Sequence, residues 1–149
     1  MTVPIDRTAW SLPSQRSGGQ YDEGATEYEG IACKCRRCES SFVLTPERQK
    51  IAYEVEKKYV WWIPSFCGRC QSEFQGLSER ARSFQRQWNT SRSSLSSSET
   101  FLREWLIVLQ AISPYWGSNA MCVHVERVLA DLKRMRMASL PAEHKRSTA

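Results

Sequence analysis

Two Cys-x-x-Cys knuckles, Cys35-Arg-Arg-Cys38 and Cys67-Gly-Arg-Cys70, lie 28 residues apart in a chain of 149. Each knuckle presents two thiolates from one tight turn. Two such turns close a tetrahedral sulfur shell around one Zn2+, with Zn–S distances of about 2.3 Å. Four protein ligands leave no position for water or substrate, so the expected ion is structural. The metal also stands in for the core that a module of roughly 55 residues lacks. The fold class expected from this pattern is a small α+β zinc-ribbon-like module, with short strands and one or two helices around the four-cysteine zinc site. An α-helical hairpin is expected to follow it.

The remaining cysteines refine this reading. Cys33 lies two residues before Cys35 and could replace it through a four-residue gap to Cys38, although Cys35 makes the two knuckles match. A redox pair or two disulfides compete with metal binding, but a redox motif belongs in an α/β pattern that this short segment lacks. Clustered thiols behind an N-terminus without a basic, apolar leader point to a reducing, cytoplasmic setting. Cys122, between Met121 and Val123, reads as a buried helix residue. Apolar runs such as Trp105 to Leu109 reach five residues, far short of the roughly 20 that span a bilayer. No membrane association is expected.

Along the chain, residues 1–30 are polar and punctuated by serine, proline and glycine, and are expected to form a disordered arm of net charge −3. Residues 31–89 form the expected zinc module. Ile31–Cys35 and Ser41–Leu44 read as short strands, and Val60-Trp61-Trp62-Ile63 as a third β-prone run. Thr45 can N-cap a helix with Pro46 in its first position. That helix is expected to reach about Lys57, with Ile51, Ala52 and Val55 on its buried face. Glu54 and Glu56, alternating with lysines, read as a solvated face. Phe74, Leu77, Ala81, Phe84 and Trp88 recur at steps of three and four, a helical seam. Residues 90–98 read as a serine-rich linker, with Ser96 and Glu99 at capping-box spacing. The helical hairpin is expected over 99–137, its helices divided near Ser113–Ser118, with a flexible tail over 138–149.

The segment from Cys35 to Cys70 also resembles the probable zinc-ribbon domain family of small bacterial proteins. The likeness rests on Cys35-x-x-Cys38, Phe42-Val43, Thr45-Pro46-Glu47-Arg48-Gln49-Lys50, Tyr53-Glu54, Lys57, Trp62, Pro64 and Cys67-x-x-Cys70. It covers about residues 31–75 and implies zinc ligation by Cys35, Cys38, Cys67 and Cys70. Members often have glycine after the first knuckle and arginine after the second, where this chain has Glu39 and Gln71.

No enzyme chemistry is expected. The two histidines, His124 and His144, lack cysteine or carboxylate partners at catalytic spacing, and no glycine-rich phosphate loop is present. The leading expectation is a non-enzymatic adaptor or regulator that binds another protein, with no small-molecule substrate and with Trp61 and Trp62 supplying apolar contact area. The alternative is DNA or RNA binding by the basic ribbon, with Arg36, Arg37 and Arg69 on phosphates and aromatic neighbours stacking on bases. The formal charge of +5 overstates that case, because four zinc-bound thiolates leave about −2 at the site.

Overall fold

The computed structural model describes residues Met1–Ser139; Leu140 onward, with His144 and most of the expected tail, lies outside the described residues. The described chain is mostly helical, with one two-stranded antiparallel sheet. It divides into two units, Met1–Cys70 and Gln71 onward.

In the first unit, β1 (Ile31–Lys34) and β2 (Ser41–Leu44) pair with Cys33 opposite Phe42. Helix α2 (Pro46–Lys50) starts as its sequence predicts, with the Thr45 hydroxyl accepting from the Arg48 amide at 3.2 Å. Its continuation, Ile51–Val55, is wound as a π-turn, in which the Glu56 amide reaches back five residues to the Ile51 carbonyl at 2.9 Å. The wider turn shifts the helical register. Gln49, Ala52, Tyr53 and Glu54 are therefore the buried residues, while Ile51 and Val55, expected inside, are 47% and 72% exposed. Lys57 ends the helix at φ 58°, and the Lys58 amide bonds to the Ala52 carbonyl at 2.8 Å, closing a Schellman-type cap.

The run Val60–Ile63 forms a turn and not the third strand that its β-branched and aromatic residues predict. Its backbone groups find side-chain partners instead of a ladder. Ser14 Oγ accepts from the Val60 amide at 3.1 Å, and Tyr53 Oη donates to the Trp62 carbonyl at 2.9 Å.

Residues 1–30 are folded, in contrast to the expected disordered arm. They contain a 3-10 turn (Arg7–Ala9) and helix α1 (Leu12–Ser17), and they bury Trp10, Ser14 and Tyr28. Trp10 and Tyr28 share one core cluster with Ala52, Tyr53 and Val60. The Tyr28 amide bonds to the Val3 carbonyl at 2.9 Å, which pins the segment's two ends together. Gly19, at φ 63°, lies so close to Val60 that a Cβ would stand 2.7 Å from its Cγ2.

In the second unit, α3 (Gly68–Leu95, beginning in the first unit), α4 (Glu99–Trp116) and α5 (Ala120–Ala138) share apolar clusters. The seam expected from Phe74 to Trp88 faces them: Trp88 packs with Trp105 and Leu102, and Ala81 with Val108 and Ile112. The serine-rich 90–98 is helical to Leu95, with one non-helical residue at Ser91, so it is not an extended linker. The cap of α4 is Ser98, accepting from the Phe101 amide at 3.3 Å, and not Ser96. Helix α4 continues through Pro114 to Trp116, past the expected break. Helices α4 and α5 run antiparallel: Ser113 meets Cys122 at 3.3 Å beside the connecting turn, and Glu99 pairs with Arg136 at the far end. The buried residues of α5 are Cys122, Val125 and Leu129, while Met121 and Met135 are 36% and 68% exposed. No helix among the described residues is long and apolar enough to cross a membrane.

Candidate metal centre

The first knuckle begins where β1 ends. The Cys35 amide donates to the Ser40 carbonyl at 2.8 Å, and the Glu39 amide returns to the Cys35 carbonyl at 2.9 Å, so the chain turns tightly around Cys35–Cys38. Glu39 takes the left-handed conformation, φ 62°, where the resemblance predicts glycine. The turn keeps its geometry with a side chain in place, at the strain cost of a non-glycine residue there. The second knuckle opens α3. Cys67 precedes its first residue and Cys70 lies in its first turn. The two knuckles are tied by the Arg36 amide, which donates to the Ser65 carbonyl at 2.8 Å.

These elements bring the sulfurs of Cys35, Cys38, Cys67 and Cys70 within 4.8 Å of one another. Cys38 and Cys67 are 3.8 Å apart. A disulfide requires about 2.05 Å, whereas the edge of a tetrahedron with 2.3 Å metal–sulfur bonds is about 3.8 Å. The spacing is that of ligands around an ion, and all six cysteines are free. Cys33 is outside the group: it is buried on β1 with its sulfur toward the Ile31 carbonyl at 3.5 Å. Cys122 is buried in α5, in the second unit.

The electrostatics of Cys35, Cys38 and Cys70 differ sharply. Burial alone pushes Cys35 up, but the backbone amides of Cys38, Cys67 and Arg37 outweigh it and bring it down to about 6. Ser40, 2.9 Å from the Cys38 sulfur, holds Cys38 below its usual value. Burial carries Cys70 up to about 12, and the neighbouring sulfurs of Cys67, Cys38 and Cys35 add to the rise. Like charges this close do not ionise together unless a cation joins them. A dication held by the four sulfurs would supply that charge, and binding it would expel the remaining thiol protons.

The other candidate residues are placed more diversely. Arg36, Arg37 and Arg69 are all exposed. The charges of Cys70 and Cys38 raise Arg69 above its usual value. Trp62 is half-buried beneath two cations, Lys58 at 4.5 Å and Arg48 at 5.6 Å from its ring centre. Trp61 is half-exposed, with its indole donating to Ser17 Oγ at 2.7 Å. Ser40 and Ser65 serve the site and were missed by motif reading, because serine beside a knuckle carries no spacing signal. Comparison with protein-family models, with curated proteins and with solved structures finds no match, and the four-thiol cluster is the feature that identifies the site.

Proposed function

We propose that the cluster holds one structural zinc ion and that the chain is a non-enzymatic adaptor that works by binding another protein. The observation that carries the first part is the convergence of four sulfurs within 4.8 Å from two turns far apart in sequence. Soft thiolate ligands in a closed tetrahedral set favour zinc, and a filled shell leaves no coordination site for a reacting group. The residues that carry the zinc-ribbon likeness fit a supporting role. Thr45 caps, Gln49 is buried and donates to the Leu44 carbonyl at 3.1 Å, Tyr53 bonds to the Trp62 carbonyl, and Lys57 closes the helix.

The adaptor reading is favoured over nucleic acid by how the basic and aromatic residues are used. Arg69 is drawn electrostatically to Cys70 and Cys38, and Trp62 already lies beneath Lys58 and Arg48, so both have uses within the chain besides phosphate contact and base stacking. Metal analysis and X-ray absorption on the purified full chain test the site. One zinc per chain with sulfur-only ligation is expected, and nitrogen or oxygen ligands would exclude it. A salt titration against random duplex DNA tests the partner class. A steep log–log slope, about 0.9 per phosphate contact, would reverse the ranking.

A further inference from the structure

The four sulfur ligands are not equally sheltered. Cys35 and Cys70 are 1% and 3% exposed, whereas Cys38 is exposed and Cys67 half-buried. Each knuckle therefore contributes one enclosed cysteine and one that solvent reaches. The accessible pair runs across the knuckles, with the Cys38 and Cys67 sulfurs 3.8 Å apart. Arg36 and Arg37 within the first knuckle and Arg69 within the second are exposed beside them. Partly exposed thiolates in electropositive surroundings are the ones that react with small oxidants.

Zinc ligation keeps sulfur in the thiolate form, so the ligands that solvent reaches stay nucleophilic in a filled site. Joining Cys38 to Cys67 shortens their separation from 3.8 Å to the disulfide length of about 2.05 Å. The two turns are already tied by the Arg36 amide on the Ser65 carbonyl. The second sulfur is thus in place when the first is oxidised.

We propose that Cys38 and Cys67 form a peroxide-sensitive pair, whose oxidation to a disulfide across the knuckles releases the ion. The proposal rests on the zinc reading of the same site. The Cys38 thiolate attacks one oxygen of hydrogen peroxide and the O–O bond breaks. The departing hydroxide takes a proton from solvent and becomes water. The Cys67 thiolate then attacks the oxidised Cys38 sulfur, the S–O bond breaks, and a second hydroxide leaves and is protonated. Two thiolates, one peroxide and two protons become one disulfide and two waters, the sulfurs giving up two electrons between them. Cys35 and Cys70 alone remain as ligands, half of the four-sulfur shell that holds structural zinc.

The test treats the zinc-loaded full chain with hydrogen peroxide and follows released metal with a coloured chelator. Free thiols are blocked with N-ethylmaleimide, and disulfides are mapped by mass spectrometry after trypsin without reduction. The lysines and arginines place Cys35, Cys38, Cys67 and Cys70 on separate tryptic peptides, so each pairing is distinguishable. Complete release of the ion is expected, with a linkage between peptides 38–48 and 59–69 and with maleimide on Cys35 and Cys70. A dithiol reductant and added zinc should restore both the metal and the free thiols. Zinc retained under excess peroxide would overturn the proposal and leave the metal reading standing. So would release without that linkage, or with one inside a knuckle, Cys35 to Cys38 or Cys67 to Cys70. A chain that holds no zinc before peroxide is added would overturn the metal reading and the proposal with it.

Discussion

Tyr28 Oη donates to Glu54 Oε1 at 2.9 Å and accepts from the Trp10 indole at 2.8 Å, so one phenol joins two segments distant in sequence. The same Glu54 oxygen accepts from the Asp6 amide at 2.9 Å, and its other oxygen accepts from Lys50 at 2.7 Å. Burial, chiefly, raises Tyr28 well above its usual value, and the Glu54 charge adds to the rise, so the phenol keeps its proton and remains a donor. Tyr28→Phe leaves the buried Trp10 N–H without an acceptor. It should lower stability by about 1–3 kcal/mol, read as a shift in denaturant midpoint at unchanged slope.

The folded state of residues 1–30 has its own test. Hydrogen exchange should show protection of the Tyr28 and Ile5 amides, which bond to the Val3 and Thr26 carbonyls. Exchange at the rate of a free peptide would restore the expectation of a disordered arm. Gly19→Ala should loosen the packing of the same segment on Val60, because it adds a Cβ 2.7 Å from Val60 Cγ2 at a positive φ. Its thermal midpoint should fall by several degrees.

Cys33→Ser should keep full metal content, since Cys33 lies outside the sulfur cluster. Cys70→Ser should lose the metal and unfold the first unit, because structural zinc contributes roughly 10 kcal/mol or more to small modules. Equal metal loss in the two variants, measured by elemental analysis, would show the ligand set to be wrong.

Arg69→Gln should speed transfer of the ion to a chelator, since it removes a positive charge coupled to Cys70 and Cys38. An unchanged transfer rate would show that the arginine is merely solvated.

Glu99 gives the second unit an acid limb. Its hydrogen bond to Arg103 holds the carboxyl below its usual value, with Arg136 adding to the effect against the opposing burial. A depressed carboxylate contributes stability that is present above its unfolded value, about 4.3, and lost as pH falls below that through its folded value. Thermal melts of the helical signal should therefore drop on acidification through that window. Glu99→Gln should flatten that part of the profile.

Legibility followed the range of the interactions involved. The knuckles, the Thr45 cap and the Phe74–Trp88 seam are local patterns, and the spacing of a few residues reveals each. The N-terminal segment is held by contacts spanning 46–48 residues, such as Ser14 with Val60 and Asp6 with Glu54. Those pairs are polar, so composition reads as disorder. Glu54 was misread for the same reason: a carboxylate among lysines resembles a solvated face until its buried partners are known. Val60–Ile63 has strand-forming residues but no neighbouring strand, and propensity cannot supply one.

The π-turn at Ile51–Val55 is in effect one surplus residue in an otherwise ordinary helix. Deleting the exposed Val55 would return the winding to 3.6 residues per turn, with Ala52, Tyr53 and Glu54 still facing inward. A length change of one is absorbed at this place, whereas in a continuous stretch of helix it would swing every later side chain by about 100°. The first unit thus carries its own slack, one residue long, beside its core.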